Sequence, residues 1–168
     1  DDARKVLEHS MNKNFYYVGR EWPYKNIKPR IIAEKYMEDK VTGELIDYKF
    51  FTFNGSAKLM FIATERNSAN ETKFDFYDMS FNHLNFTNGH PNSSKTNVKP
   101  QNFEKMKLFA ELISKELPHL RVDFYEVNGK LYFGEITFYH WGGTRKFEPE
   151  EWDYFIGDML ELPKGRRE

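Results

Sequence analysis

The sequence predicts an α+β fold, an antiparallel sheet with helices packed on one face. Three observations predict it. Two Asn-Gly dipeptides, Asn54-Gly55 and Asn128-Gly129, each lie between runs of alternating apolar residues, the strongest short-range hairpin signal. Residues 103–117 place Met106, Phe109, Ala110, Ile113 and Leu117 at helical spacing, and Pro118 ends the run. The chain is also rich in rings, with 16 Phe, 10 Tyr and 3 Trp, and ring area on that scale suits a sheet core or a stacking surface.

Its 168 residues suit one domain or two small lobes. Charged residues are 30% and hydrophobic ones 39%, the balance of a soluble folded chain rather than a disordered one. Net charge is -1 with no large basic block, so nucleic-acid binding has no electrostatic support; the short basic tail 164–167 reads as a solvated end. Cysteine is absent, which excludes disulfides and fits a cytoplasmic location. No stretch reads as a membrane span or a signal peptide, so membrane insertion is not expected. The histidines are scattered without zinc-ligand spacing, and neither a Walker loop nor GxGxxG occurs.

In chain order, residues 1–13 read as a helix, with Ala3, Val6, Leu7 and Met11 on one side. Residues 14–28 are aromatic and irregular. Pro29 introduces an expected strand over 30–37, and a loop centred on Thr42-Gly43 follows. Asp47–Phe53 is expected as a second strand, with Asp47, Lys49, Phe51 and Phe53 on one face by alternation, and residues 57–64 as its hairpin partner. Residues 67–102 are weakly patterned and rich in Asn, Ser and Thr. They read as long ordered loops with one strand at most, and 82–102 offer so little apolar surface that they are expected to be the most mobile part. Pro149 opens a last helix over 149–160, with Trp152, Phe155, Ile156, Met159 and Leu160 as its stripe.

The second hairpin, within residues 119–143, carries the chemistry. Arg121 and Asp123 stand on its first strand, Glu135 and Thr137 on its second. A two-residue turn would set Asp123 opposite Gly134 and turn Glu135 away. A three-residue loop over 127–129, with Gly129 left-handed, sets Arg121 opposite Glu135 and Asp123 opposite Phe133. That register is expected, because it alone leaves one face clean and apolar: Val122, Phe124, Tyr132, Ile136 and Phe138. The other face then holds Arg121, Asp123, Tyr125, Phe133, Glu135 and Thr137. Two carboxylates that close require a positive charge between them. Arg121 alone satisfies that as a structural ion pair, and a divalent cation carrying phosphate satisfies it equally.

The segments IIAEKYM, DYKFFTFNG, RVDFY and YFGEITF together resemble the C-terminal half of an ATP-grasp enzyme, and specifically the TupA-like ATP-grasp proteins of bacterial surface-polysaccharide gene clusters. The resemblance spans about residues 14–163. It implies ATP and Mg²⁺ as cofactors, and a nucleotide plus carboxylate and amine substrates (a sugar acid, an amino acid or a peptide) as partners. The reaction implied is activation of a carboxylate as an acyl phosphate. By the same resemblance Asp123 and Glu135 match acidic metal ligands, Thr137 stands where relatives place an Asn ligand, and Arg121 meets the transferred phosphate. Glu34, Lys35, Tyr36 and Met37 match the hinge whose backbone reads the adenine edge, Asp47 holds the ribose hydroxyls, and Lys49 points toward phosphate. The family also has an N-terminal lobe and an early phosphate-binding lysine with no counterpart before Asn14, so the whole chain, 1–168, is expected to be the C-terminal part of a longer protein.

Read without the resemblance, Glu34 and Lys35 are a solvent-facing charge pair, Asp47 a turn cap and Lys49 a strand lysine. The rival functions are a non-catalytic module binding a glycan or a protein, and a protein associated with a polysaccharide-cluster glycosyltransferase. A glycan binder needs exposed aromatics and no carboxylates clustered toward phosphate.

Overall fold

The computed structural model describes residues 2–41, 43–66 and 71–164; Thr42 of the expected loop, the start of the Asn-rich segment at 67–70 and the basic tail beyond Lys164 lie outside the described residues. The fold is α+β, as the patterning predicts. Six antiparallel strands form one sheet in the order β4-β3-β2-β1-β5-β6: β1 Asp47–Phe53, β2 Ser56–Thr64, β3 Lys73–Asp78, β4 His83–Leu84, β5 His119–Val127 and β6 Lys130–Thr137. Among the described residues four α-helices accompany them: α1 Asp2–Met11, α2 Tyr16–Gly19, α3 Phe103–Ser114 and α4 Glu150–Gly157.

Alternation along β1 and β5 divides the core into two layers. Tyr48, Phe50, Leu120, Val122 and Phe124 point to one face, where Phe103, Met106 and Ala110 of α3 cover them. Phe51, Phe53, Phe61 and Phe76 point to the other, where they meet Phe86 and Ile156 of α4. Helices α3 and α4 therefore sit on opposite sides of the sheet. Helix α4 covers only part of its face, and the buried charged residues Asp47, Lys49, Arg121 and Asp123 occupy the rest.

Two expectations are corrected. Residues 30–37 form no strand, and Ile31 and Ile32 are exposed. A strand needs a partner to receive its backbone hydrogen bonds, and among the described residues no strand of the sheet pairs with this segment. The Asn-rich segment is also more tightly anchored than its composition suggests. It contributes two strands, β3 and β4, where one at most is expected, and it buries Phe86 and Asn88. Asn92 Nδ2 donates to the Phe74 and Phe86 carbonyls, while the Ser93 N–H and Asn97 Nδ2 donate to the carboxylate of buried Asp75. Polar side chains hold this loop, which a search for apolar surface cannot register.

The second hairpin reaches its arrangement by a different route from the one expected. Val127 pairs with Lys130, so the loop has two residues, with Asn128 at φ 51 and Gly129 at φ 73. Two left-handed residues are what a type I′ turn requires. The extra residue lies further along instead. Val122 pairs with Ile136 and Phe124 with Phe133, so Asp123 faces both Gly134 and Glu135 across a bulge in β6. The bulge moves Glu135 onto the Asp123 face. It also exchanges the expected places of the two rings: Phe133 joins Phe124 on the α3 face, and Tyr132 joins Tyr125.

Gly134 permits this bulge by close approach. A Cβ there would lie 3.0 Å from the Asp123 carbonyl oxygen and 3.0 Å from Tyr125 Cε2. Gly134→Ala is expected to destabilise the fold by about 1–3 kcal/mol, the range for overpacking a closed site. Urea unfolding of the variant measures this, and an unchanged midpoint would show that the bulge tolerates a side chain.

Candidate functional site

The charged row is built by β1 and β5. Asp47 lies opposite Tyr125, Lys49 opposite Asp123, Phe51 opposite Arg121 and Phe53 opposite His119. Directly opposed residues share a face, so these eight side chains form two parallel rows running from a polar to an aromatic end. Glu135 joins from β6 through the bulge.

Asp123 is fully buried and receives three donors. Arg121 Nε donates to Oδ1 at 2.8 Å, Arg121 Nη2 donates to Oδ2 at 2.8 Å, and Lys49 Nζ also donates to Oδ2. The same Arg121 Nη2 lies 2.8 Å from Glu135 Oε1. Lys49 Nζ stands 2.6 Å from Asp47 Oδ2, which Arg66 Nη1 meets at 2.8 Å from the other side. Three carboxylates and three cations thus interlock, and formal charge cancels. Asp47 Oδ1 is buried with no hydrogen-bond partner. Burial holds the Asp47 carboxyl above its ordinary range, outweighing Lys49. Glu135 is raised as well, by its partial burial and then by Asp123. Burial alone would lower the Arg121 pKa, but its hydrogen bonds to Asp123 raise it.

Two residues that the sequence reading passed over complete the site. Arg121 Nη1 donates to His140 Nδ1 at 2.8 Å, which leaves the ring proton on Nε2, 2.8 Å from Asn88 Oδ1. Asn88 Nδ2 in turn donates to the carbonyls of Arg145 and Lys146 at 3.1 and 2.9 Å. Burial, then the Arg121 charge, pushes His140 down to about 3. The signal was the His-Trp-Gly-Gly sequence closing the second hairpin: Trp141, Gly142 and Gly143 are all left-handed and fold the chain back just after His140. Asn88 had no signal in a segment full of Asn.

The remaining expected residues fall as follows. Glu34, Lys35, Tyr36 and Met37 line a 220 Å³ cavity with Leu45 and Tyr125, at the polar end of the rows. They belong to an exposed irregular segment rather than a hinge strand. Thr137 pairs with Arg121 across the hairpin but makes no side-chain hydrogen bond among the described residues.

A family model of TupA-like ATP-grasp proteins matches residues 1–161. The chain belongs to the TupA-like ATP-grasp family. No curated protein and no solved structure matches it. Among the described residues no helix is long and apolar enough to cross a membrane. ATP-grasp membership brings Mg²⁺ into question, and the side chains can be tested for it. No group of three or more acidic or histidine side chains among the described residues stands ready to hold an ion alone. Asp123 and Glu135 nevertheless converge on one nitrogen, Arg121 Nη2, at 2.8 Å each. Hard carboxylate oxygens converging on one cation suit Mg²⁺, which completes its shell from water and phosphate.

The lowered His140 pKa sets a pH dependence. The unfolded chain binds a proton at His140 near the ordinary value of 6.5, and the folded chain does so only near 3. Between those values only the unfolded state gains the proton, so stability falls as pH falls from about 6.5 toward 3. Asp47 and Glu135, with raised folded values, act in the opposite sense, and comparison with a His140 variant cancels them. Denaturant unfolding at about pH 7 and about pH 5 should show the parent losing about 2 kcal/mol more than His140→Asn between the two. Equal losses would mean that His140 takes up its proton in the folded protein.

Proposed function

We propose that this chain is the ATP-binding part of a cytoplasmic carboxylate–amine ligase that uses Mg²⁺ and acts in bacterial surface-polysaccharide biosynthesis, joining an amino acid or peptide to a sugar acid. The observation that carries the reading is the pair Asp123 and Glu135 sharing one Arg121 nitrogen at 2.8 Å each. A face that gathers two carboxylates around a movable cation offers a magnesium and a phosphate the same position.

The residues take these roles. The backbone of Glu34, Lys35, Tyr36 and Met37 receives the adenine edge in the cavity beside Tyr125. Asp47 takes the ribose hydroxyls, and its unpartnered Oδ1 is an acceptor that a hydroxyl would satisfy. Lys49 and Arg121 turn toward the phosphates, exchanging carboxylate partners for phosphate oxygens. Asp123 and Glu135 would hold the ion, with Thr137 beside them. When bound, Mg²⁺ neutralises phosphate charge during transfer. His140 keeps Arg121 aimed by accepting from the nitrogen that Asp123 and Glu135 do not use.

The ion-pair network itself favours a second reading, in which these charges only hold the sheet together in a module that binds a glycan or a protein. Carboxamide substitutions separate the two. Asp123→Asn leaves Arg121 and Lys49 facing a neutral group in a buried site and is expected to lower stability by about 3 kcal/mol. Glu135 is 59% exposed at its side chain, so Glu135→Gln should lower it by less than about 1 kcal/mol. In thermal melts, Mg-ATP should raise the parent's Tm and leave both variants unmoved. Equal binding of Mg-ATP by parent and variants would refute the metal assignment, and no response in the parent would favour the binding module.

A further inference from the structure

The two rows continue past Arg121 to an aromatic end. His119 lines a 370 Å³ cavity there with Phe53, Phe138, Phe147, Arg145 and Asp153. Two histidines reach this cavity and differ in what they offer. His140 has both ring nitrogens engaged, by Arg121 and Asn88. His119 has one: Nδ1 lies 3.0 Å from the Thr52 carbonyl oxygen, a contact that only an N–H can make. The neutral ring therefore carries its proton on Nδ1, and Nε2 keeps a lone pair with no partner among the described residues. Burial favours that neutral form, holding the His119 pKa below the ordinary histidine range. The ring is fixed between Phe51 and Phe53, with centroids 5.9 and 4.7 Å away.

Asp153 supplies a second acceptor. Its Oδ1 accepts the Phe147 N–H at 3.1 Å, and its other oxygen has no partner among the described residues. Phe53, Phe138 and Phe147 line the same cavity, and aromatic faces attract cations. The lone pair, the carboxylate oxygen and the rings favour a positively charged donor, and Arg145, a cation on the same lining, is engaged by the Trp141 ring, its Cζ 5.7 Å from the ring centroid.

The geometry points to this cavity as a binding subsite for a primary amine on an apolar or ring-bearing body, which donates an N–H to His119 Nε2 and turns its charge to Asp153. The role of that amine rests on the ligase reading. On it, the adenine cavity lies at Tyr125 and the amine cavity at His119, six residues along one strand or about 20 Å apart. Arg121 and Asp123 stand between them. The nucleotide and the amine thus approach the phosphate position from opposite ends and do not compete, and the amine is placed as the acyl acceptor.

Phenylalaninamide and N-acetylphenylalaninamide serve as probes, since they share the body and differ in the amine. Calorimetric titration of the 168-residue chain should show saturable binding of the first and none of the second. His119→Asn keeps a donor for the Thr52 carbonyl and loses Nε2. Asp153→Asn keeps the acceptor for the Phe147 N–H and loses the charge. Each should weaken phenylalaninamide by about tenfold or more. Mg-ATP affinity, measured on the same samples, should not change in either. No binding of phenylalaninamide, equal binding of both probes, or affinity untouched by both variants would overturn the subsite. Amine binding without any binding of Mg-ATP would keep the subsite and remove the ligase reading.

Discussion

Arg121 satisfies four acceptors at once, two on Asp123, one on Glu135 and one on His140, while its own side chain is nearly buried. Everything else about this face follows from keeping that guanidinium and the Asp123 carboxylate out of water together. A lone buried carboxylate would shed its charge or open the fold. The arginine prevents that, but only because three strands hold their registers. A slip of one residue in any of them would separate the partners and turn charges into the apolar layer.

The sheet is therefore more than a scaffold beneath the site. Its alternation sends Phe50, Val122 and Phe124 toward α3 and the charged residues to the opposite side, so the same residues that fix the register also fix the site. On the charged side, the aromatic layer formed by Phe51, Phe61 and Phe76 adjoins the ion pairs directly. Rings on that flank exclude water and lower the local dielectric, which strengthens each ion pair and makes each unpaired group more costly. His140 sits at this seam, 4.9 Å from the Phe51 ring, and its neutral form follows from that placement as much as from the neighbouring charge.

Much of the fold was legible because its signals are local. The Asn-Gly turns, the full extent of β1 and the α3 stripe each follow from spacing within a dozen residues. The charged face was legible too, in its membership, since Arg121, Asp123 and Glu135 do meet. The hairpin pattern predicts the extra residue in the turn, whereas the structure holds it beside Gly134. Both positions bring Glu135 across, and only packing at Tyr132 and Phe133 distinguishes them. The expected strand at 30–37 failed for a related reason, because a β-pattern states that a segment could pair and not that it meets a partner.

The sequence by itself determined the antiparallel sheet, its principal helix, the family and the three residues at the centre of the charged face, because alternation and turn chemistry act over neighbouring residues. Tertiary structure alone decided where the bulge lies, which helix covers which face, and that Asn88 and His140 support Arg121 from sequence distances of 33 and 19 residues. Those depend on which groups remain unpaired after the sheet has closed. Arg121 Nη1 needed an acceptor, His140 Nε2–H needed another, and Asn88 met the second only because polar side chains anchor a loop that has little apolar surface of its own.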